Sequence, residues 1–511
     1  MNVSEPLPPA FSLNRRGISL AEAGDWVGAQ ECFRQAIETE PASIELQQNL
    51  GRMYLFQGRL DEAFECCNRI LAIDPQHLAT LNNLGNLLMS MGRAPEAFAT
   101  YQRAINLSPH VPDAWNNFLL HLNYVPQDRQ ALFEAHSAFG RIFDQPREHW
   151  LCKDRSRRLP GKLRLGYVSA DFKEHAVMTF FEPVLAEHDR SQFEIFCYDN
   201  SAQHDRVTER LKSCADHWRP IQNLDDDQAA RLIHHDGIDV LIDLSGHTGG
   251  NRLPVFGRKP APIQISWLGY LNTTGMKTMD YHITDRALCP EGSARFYTEA
   301  LVYLSRAMPL SPLSDAPEIS SLPAFKNGFV TFGAFNNFKK ASPVVVTRWA
   351  RIMARVPDSR IMISVGPTDP RSPQALRIFV EHGIHPERVE FVPMLGRSDF
   401  FHLIGKADLA LDPFPYTGGA ATAHTLFMGV PVVTLEGASE LERNTAGFLR
   451  HAQLENFVAH SMEEYEEKAI AWAYRVEELA VLRPKMRERC GFFADQPART
   501  VKDIEDWLLG Y

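Results

Sequence analysis

The sequence lacks the features of several broad protein classes. Its eight cysteines, Cys32, Cys66, Cys67, Cys152, Cys197, Cys214, Cys289 and Cys490, include no C-x-x-C pair, which argues against a zinc site. Scattered through a long chain, they read as reduced thiols of a cytoplasmic protein. No uninterrupted apolar run approaches the roughly 20 residues that span a bilayer. The opening residues, MNVSEPLPPA, lack a basic segment followed by an apolar core, so no signal peptide is expected. An excess of basic charge is missing too: 53 basic and 63 acidic residues give a net charge of -10. That excludes a general nucleic-acid binder but leaves room for a local basic pocket. The remaining composition is that of an ordinary soluble globular protein, 44% hydrophobic and 23% charged over 511 residues, a length for about three domains.

A repeat fills the first fifth of the chain. Pro41, Pro75 and Pro109 are 34 residues apart, and so are Gly17, Gly51 and Gly85. Gly24, Gly58 and Gly92 share that spacing, as do Ala29, Ala63 and Ala97, and the larger residues Phe33, Cys67 and Tyr101. The pattern describes a helix–turn–helix unit. A small residue on the first helix admits the second closely, glycine makes the turn, and proline ends the unit. Three units cover about residues 8–109, and AWNNFLLHLNY from Ala114 starts a fourth, incomplete one. Stacked units of this length form a solenoid with a concave, peptide-sized face. Arg15, Asn49 and Asn83 lie two residues before the repeat glycines, and Asn117 falls at the next phase position of that column. That column either hydrogen-bonds an extended peptide backbone or supports packing between helices. Residues 118–160 read as helical and charged, and the basic run RSRRLPGK at 155–162 marks a boundary.

From Leu163 the pattern changes to strands alternating with helices. KLRLGYVS, FEIFCYDN, IDVLIDLSG, APIQISWLGY and DYHITD read as strands, and DDQAARLIHHDG as an amphipathic helix. A stretch rich in Pro and Ser, residues 310–328, interrupts the alternation. It resumes with GFVTFGAF, SRIMISVG, RVEFVPM, DLALDPFPY and VPVVTLEG as strands between helical segments. Such alternation predicts two Rossmann-like domains with parallel sheets, whose ligands sit at the carboxyl ends of the strands.

Two of those strand ends stand out. FNNFKK follows GFVTFGA and carries Lys339 and Lys340. In LDPFPYTGGAATAHTLFMG a strand, a turn through Gly418 and Gly419 and a helix beginning near Ala420 follow one another. Free amides and the positive end of a helix dipole make such a turn an anion site.

The repeats joined to LRLGYVSADF, APIQISWLGY, MDYHITD, FGAFNN, LDPFPYTGG and MGVPVVTL resemble the O-GlcNAc transferase family, glycosyltransferase family 41, over nearly the whole chain. The resemblance implies an α-solenoid followed by a GT-B fold of two Rossmann-like domains. The expected layout is tetratricopeptide repeats over 8–125, a helical connector over 126–160, a first lobe over 161–310, a linker over 311–326 and a nucleotide-sugar lobe over 327–511. It also implies inverting transfer of a sugar, GlcNAc from UDP-GlcNAc, to Ser or Thr hydroxyls of a protein acceptor recruited by the repeats. No metal or other cofactor, no nucleic acid and no membrane partner are expected, and the repeats leave oligomerisation open.

Carried over by motif, Lys340 contacts the donor diphosphate and His175 faces the acceptor and sugar, so both are expected to be catalytic. Asn337, Lys340, Gly418, Gly419, Ala420, Ala421, His424 and Phe400 are expected at the donor. His247 and Asp243 are expected to line the cleft, and Asn49, Asn83 and Asn117 to bind peptide. The base stays open between His175, a donor phosphate oxygen and a relay water. The chain departs from the family's pattern in carrying Gly419-Ala420-Ala421 where hydroxyl residues are common, His424 in place of an acid, Phe400 in place of a histidine and Leu271-Asn272 in place of Pro-Gly. These departures keep two alternatives in view. One is a repeat adaptor with a degenerate transferase half. The other is a transferase using another donor, such as a CMP-nonulosonic acid for flagellin. A third reading, independent of these departures, is a transferase for a small molecule or glycan with the repeats used only for oligomerisation.

Overall fold

The computed structural model describes residues 9–147, 150, 161–366, 369, 371–393 and 395–510. Cys152 and residues 155–160 of the expected boundary lie outside the described residues. The chain divides into two compact units, residues 1–118 with 366–375 and residues 119–365 with 376–511.

The first unit is built from three helix pairs: α1 (Pro9–Glu22) with α2 (Trp26–Thr39), α3 (Ile44–Phe56) with α4 (Leu60–Ile73), and α5 (Leu78–Ser90) with α6 (Ala94–Leu107). The turn glycines Gly24, Gly58 and Gly92 all have positive φ, from 71° to 82°, a conformation that side chains resist. The repeat glycines fit tightly as well. A Cβ on Gly17 would strike the ring of Phe33, and one on Gly85 the ring of Tyr101. Ala29, Phe33, Leu50, Ala63 and Tyr101 are buried at the centre of the stack.

Two members of the asparagine column, Asn49 and Asn117, make hydrogen bonds within the array. Asn49 Nδ2 donates to Asn14 Oδ1 (3.0 Å), and Asn14 Nδ2 to Glu45 Oε1 (2.7 Å). Asn117 Nδ2 donates to Asn82 Oδ1 (2.9 Å). These bonds tie successive repeats together, so the carboxamides of Asn49 and Asn117 are engaged within the array, whereas Asn83 is exposed.

Helix α7 (Pro112–Leu122) leads into the second unit, where α8 (Arg129–Phe143) follows. The first lobe's sheet contains β1 (Leu163–Ser169), β2 (Phe193–Asp199), β3 (His217–Pro220), β4 (Val240–Asp243), β5 (Ile263–Ser266), β6 (Tyr281–Asp285) and β7 (Ala300–Leu304). Their order is β3-β2-β1-β4-β5-β6-β7, all parallel. The second lobe's sheet contains β8 (Thr331–Ala334), β9 (Arg360–Ser364), β10 (Val389–Val392), β11 (Leu409–Leu411), β12 (Val432–Leu435) and β13 (Val458–Ala459), in the order β10-β9-β8-β11-β12-β13. The intervening helices are α9 (Met178–Glu187), α10 (Arg206–Cys214), α11 (Asp226–His235), α12 (Leu253–Gly257), α13 (Pro323–Asn327), α14 (Pro343–Arg355), α15 (Arg371–Glu381), α16 (Arg397–Ile404), α17 (Ala420–Phe427), α18 (Glu440–His451), α19 (Met462–Ala473), α20 (Val476–Leu482), α21 (Met486–Arg489) and α22 (Gln496–Gly510). Both sheets reverse their strand order once, between β1 and β4 and between β8 and β11, and ligands of doubly wound sheets bind at such switch points. Among the described residues, no helix is long and apolar enough to cross a membrane.

Histidine–carboxylate pairs join the lobes. His282 Nε2 on β6 lies 2.7 Å from Glu440 Oε2 on α18, and neither side chain has any exposure. Thr284 Oγ1 and Tyr297 OH also donate to that carboxylate, and Ser266 Oγ lies 2.7 Å from His282 Nδ1. His451 pairs with Asp285 at 3.2 Å. Helix α22 packs against α9 and β7, and its Glu505 pairs with the buried His188 at 2.8 Å.

Candidate active site

The second lobe's switch point gathers Lys340 and the glycine turn, because β8 and β11 are neighbours. After β8 the chain makes a single 3-10 turn, Phe338–Lys340, capped by the Asn337 side chain, whose oxygen accepts the Lys339 N–H (3.0 Å). Asn337 is therefore an exposed capping residue, and its oxygen is engaged within its own turn. Asn336 points inward instead, donating from Nδ2 to Asp412 Oδ1 (3.1 Å). Lys340 is half-buried and Lys339 exposed. The Lys340 ammonium donates to the Thr417 carbonyl oxygen (2.8 Å) and sits over the Tyr416 ring, 3.9 Å from its centroid. Burial lowers its pKa to about 8, against the pull of Asp412.

Asp412 closes β11 and is fully buried. It accepts the Gly418 N–H (3.1 Å) and the Thr434 hydroxyl (2.8 Å). Burial raises its carboxyl to about 6, opposed by those hydrogen bonds, by Thr445 and by Lys340. Asn336, Asp412 and Tyr416 were not singled out from the sequence. The available signal was an acid after the apolar run LAL, beside a strand whose following loop carries a lysine.

The Gly418 amide is thus turned inward, and the Gly418 carbonyl accepts from Asn444 Nδ2 (2.8 Å) and Thr445 Oγ1 (3.3 Å). Gly418 shapes the turn rather than presenting a free amide. A Cβ there would meet the Thr422 hydroxyl and the Asn336 carboxamide. No side chain caps α17 at Gly419. The amides of its first turn, Ala420 and Ala421 among them, have no acceptor inside the helix. The hydroxyl missing at Ala420 and Ala421 appears at Thr422, whose Oγ1 lies 3.3 Å from Thr445 Oγ1.

His424 sits edge-on to Phe401 (5.3 Å between centroids) and Phe400 (6.3 Å). Its Nε2 lies 3.4 Å from Thr179 Oγ1 of the first lobe. Burial and Arg397 lower its pKa to about 4, so the ring is neutral at pH 7. Phe400 is half-buried and perpendicular to Phe335 (6.2 Å).

In the first lobe, the loop after β1 carries His175, whose side chain is 45% exposed with Nδ1 3.6 Å from Asp171 Oδ2. That Nδ1 accepts the Val177 N–H (3.4 Å). Burial raises Asp171, against the pull of His175 and Lys173. His247 and Asp243 depart from the expectation that they line a cleft, since both are 1% exposed. His247 Nε2 lies 2.9 Å from the Thr274 carbonyl, and its ring packs edge-on against Phe139 and Tyr270. Burial lowers its pKa well below the ordinary value. Asp243 accepts the Gly246 N–H (2.6 Å), and burial raises its carboxyl to about 7. The loop after β4 folds back under Tyr270, which turns both side chains into internal struts.

Glycosyl transferase family 41 matches residues 127–311 and 321–493, and a tetratricopeptide repeat family matches residues 40–110. The chain belongs to glycosyl transferase family 41, with a GT-B fold behind helical repeats. Among its relatives is the probable UDP-N-acetylglucosamine–peptide N-acetylglucosaminyltransferase SPINDLY of Solanum lycopersicum, 36% identical over 390 residues, covering 75% of this chain and 42% of that protein. The probable UDP-N-acetylglucosamine–peptide N-acetylglucosaminyltransferase SEC of Arabidopsis thaliana is 31% identical over 362 residues, covering 67% of this chain and 36% of that one. A solved mutant of the Thermobaculum terrenum O-GlcNAc transferase, carrying a lysine-to-methionine change, superposes with a TM-score of 0.87 at 32% identity, covering 98% of this chain and 96% of that chain. The chain spans less than half the length of these curated plant relatives.

Proposed function

We propose that this protein transfers a sugar from a nucleotide-sugar donor to Ser or Thr hydroxyls of a protein acceptor, with inversion and without a metal. The observation that carries this reading is the pairing, at one switch point, of the Lys340 ammonium with the uncapped start of α17. Together they are suited to a diphosphate: the lysine supplies a fixed cation, and the helix start supplies amides and a favourable dipole. As the anomeric C–O bond to the nucleotide breaks, charge develops on the leaving phosphate, where Lys340 stabilises it. The acceptor oxygen attacks from the opposite face, and its proton leaves to a phosphate oxygen or a water. His175, on the loop after β1, faces the sugar and acceptor and is the third candidate for that proton. Phe400 offers a face for the base. The repeats recruit the acceptor, with Asn83 as the exposed member of the asparagine column. UDP-GlcNAc is the favoured donor, in keeping with the names of the plant relatives.

The test is a panel of UDP-, GDP- and CMP-sugars incubated with the full chain. Released nucleotide is measured, and intact acceptor proteins co-expressed with wild type or Lys340→Ala are weighed. One donor is expected to be consumed, with a matching mass shift that the variant loses and that a chelator does not affect. A folded protein that neither binds nor hydrolyses any donor overturns the reading.

A further inference from the structure

Two consecutive residues beyond the last turn of α7 hold on to both lobes. Asn123 is buried on the first lobe. Its Nδ2 donates to Tyr270 OH (2.8 Å) and to the Leu119 carbonyl (2.8 Å), and its Oδ1 accepts from Asn272 Nδ2 (3.0 Å). Tyr270 OH is in turn 2.7 Å from His136 Nε2 on α8. The next residue, Tyr124, reaches the second lobe, where its ring lies 4.8 Å from that of Tyr416 at an interplanar angle of 48°. Tyr416 is the ring beneath the Lys340 ammonium, and the following carbonyl, Thr417, accepts from that same ammonium.

We propose that Tyr416 is the positioning residue for Lys340, and that the Asn123-Tyr124 pair at the end of α7 sets Tyr416 in place. A lysine stem has four freely rotating carbons. An ammonium that must meet a diphosphate therefore needs fixing from more than one side. The Thr417 carbonyl takes one N–H, the Tyr416 ring takes one face of the cation, and the remaining N–H groups are left for the ligand. The ring can do this only if it cannot tilt away, and Tyr124 packs against it. Asn123 keeps Tyr124 there, because its carboxamide is bonded on both ends to the first lobe. The donor lysine is thereby tied to the turn that ends α7, the helix after the three helix pairs. This inference rests on the donor role assigned to Lys340.

The test uses the full chain and the variants Tyr416→Leu, Tyr416→Phe, Tyr124→Ala and Tyr124→Phe. The first readout needs no donor. Competitive acetylation across neutral to alkaline pH, resolved by peptide mass spectrometry, gives the titration midpoint of Lys340. The groups facing this ammonium are Asp412, Tyr416 and, behind it, Tyr124, with Lys339 as its chain neighbour. Burial is the main influence lowering Lys340. Leu keeps the site apolar but removes the ring's attraction for the cation, so the midpoint is expected to fall in Tyr416→Leu. In Tyr124→Ala water admitted behind the ring is expected to raise it, and both Phe variants titrate like wild type. The second readout is donor hydrolysis. Tyr416→Leu is expected to lower kcat/KM by about fivefold to thirtyfold, the equivalent of a desolvated cation–π contact, with rescue by Phe. An unchanged Lys340 midpoint in Tyr416→Leu and Tyr124→Ala overturns the proposal. If Tyr416→Leu does not fold, Tyr124→Ala decides. If wild type consumes no donor, the transferase reading falls, while the labelling result still decides whether the rings position the lysine.

Discussion

Replacing Glu440 by Gln tests the buried pair that joins the lobes. The carboxylate takes His282, Thr284 and Tyr297 at 2.6 to 2.9 Å. The amide keeps the shape, but its NH2 end cannot accept, and His282 loses its counter-charge. Breaking a buried pair by removing one partner costs about 3–5 kcal/mol. With its oxygen toward Thr284, away from His282 and Tyr297, the amide retains one bond of about 1 kcal/mol, which leaves a loss of about 2–4 kcal/mol. With an unfolding entropy of about 2.1 cal/mol/K per residue, a unit of this size loses roughly 1.2 °C per kcal/mol, so its transition falls by roughly 2–5 °C.

The pH dependence has a definite sign. Burial opposes charge on His282, but Glu440 outweighs burial and the net shift is upward from 6.5. A raised histidine contributes stability that is fully present below its unfolded pKa and is lost as pH rises through the native value. The gap between wild type and Glu440→Gln is therefore widest in mildly acidic buffer and narrows above neutrality. Scanning calorimetry of the full chain at several pH values measures it. A gap that is constant with pH refutes the charged pair, and a shift below about 1 °C refutes the burial cost.

Donor turnover is expected to fall as pH rises through about 8, where burial places Lys340. Asp412→Asn moves that limb to lower pH by removing the counter-charge, and Lys340→Arg, which stays charged, removes it; pH–rate profiles of donor hydrolysis check both. In Gly418→Ala the new methyl group meets Thr422 and Asn336, which costs about 1–3 kcal/mol of turn geometry. Titration calorimetry with the nucleotide is expected to record weaker binding, partly restored by adding Thr422→Ala. Asn49→Ala and Asn117→Ala are each expected to destabilise the repeats by about 0.5–1.5 kcal/mol, read by urea denaturation of the full chain.

The repeats were legible because a period of 34 residues multiplies every signal threefold, and because glycine marks both close approach and positive φ. The sheets were legible where strands are buried on both faces and read as apolar runs. The edge strands β3, β7 and β13 escaped. HWRP on β3 is half-exposed and polar, and β13 is two residues long. The expected strand through DLALDPFPY shortens to Leu409–Leu411, because prolines, one of them cis after Phe414, cannot donate to a ladder.

At the site, residue type and strand end located Lys340 but could not tell which of two adjacent asparagines turns inward. Asn337 was chosen, and Asn336 is the one bonded to Asp412. His247 and Asp243 misled for a related reason. Both follow a strand end, as cleft residues do, but whether the loop opens or folds back is decided by Tyr270, distant in sequence. Tyr124 and Tyr416 were invisible as a pair, since their contact exists only across the fold.

The last helix has a consequence for how the protein is made. Glu505 on α22 pairs with His188, which has no exposed side-chain surface, and accepts the Asp189 N–H (3.1 Å). A ribosome delivers these residues only after the whole second lobe. Until then, the surface of the first lobe beside α9 is uncovered and His188 has no acid partner. Vectorial synthesis usually lets an N-terminal domain finish first. Here the earlier lobe stays unfinished until the later one has been translated, and the two mature together.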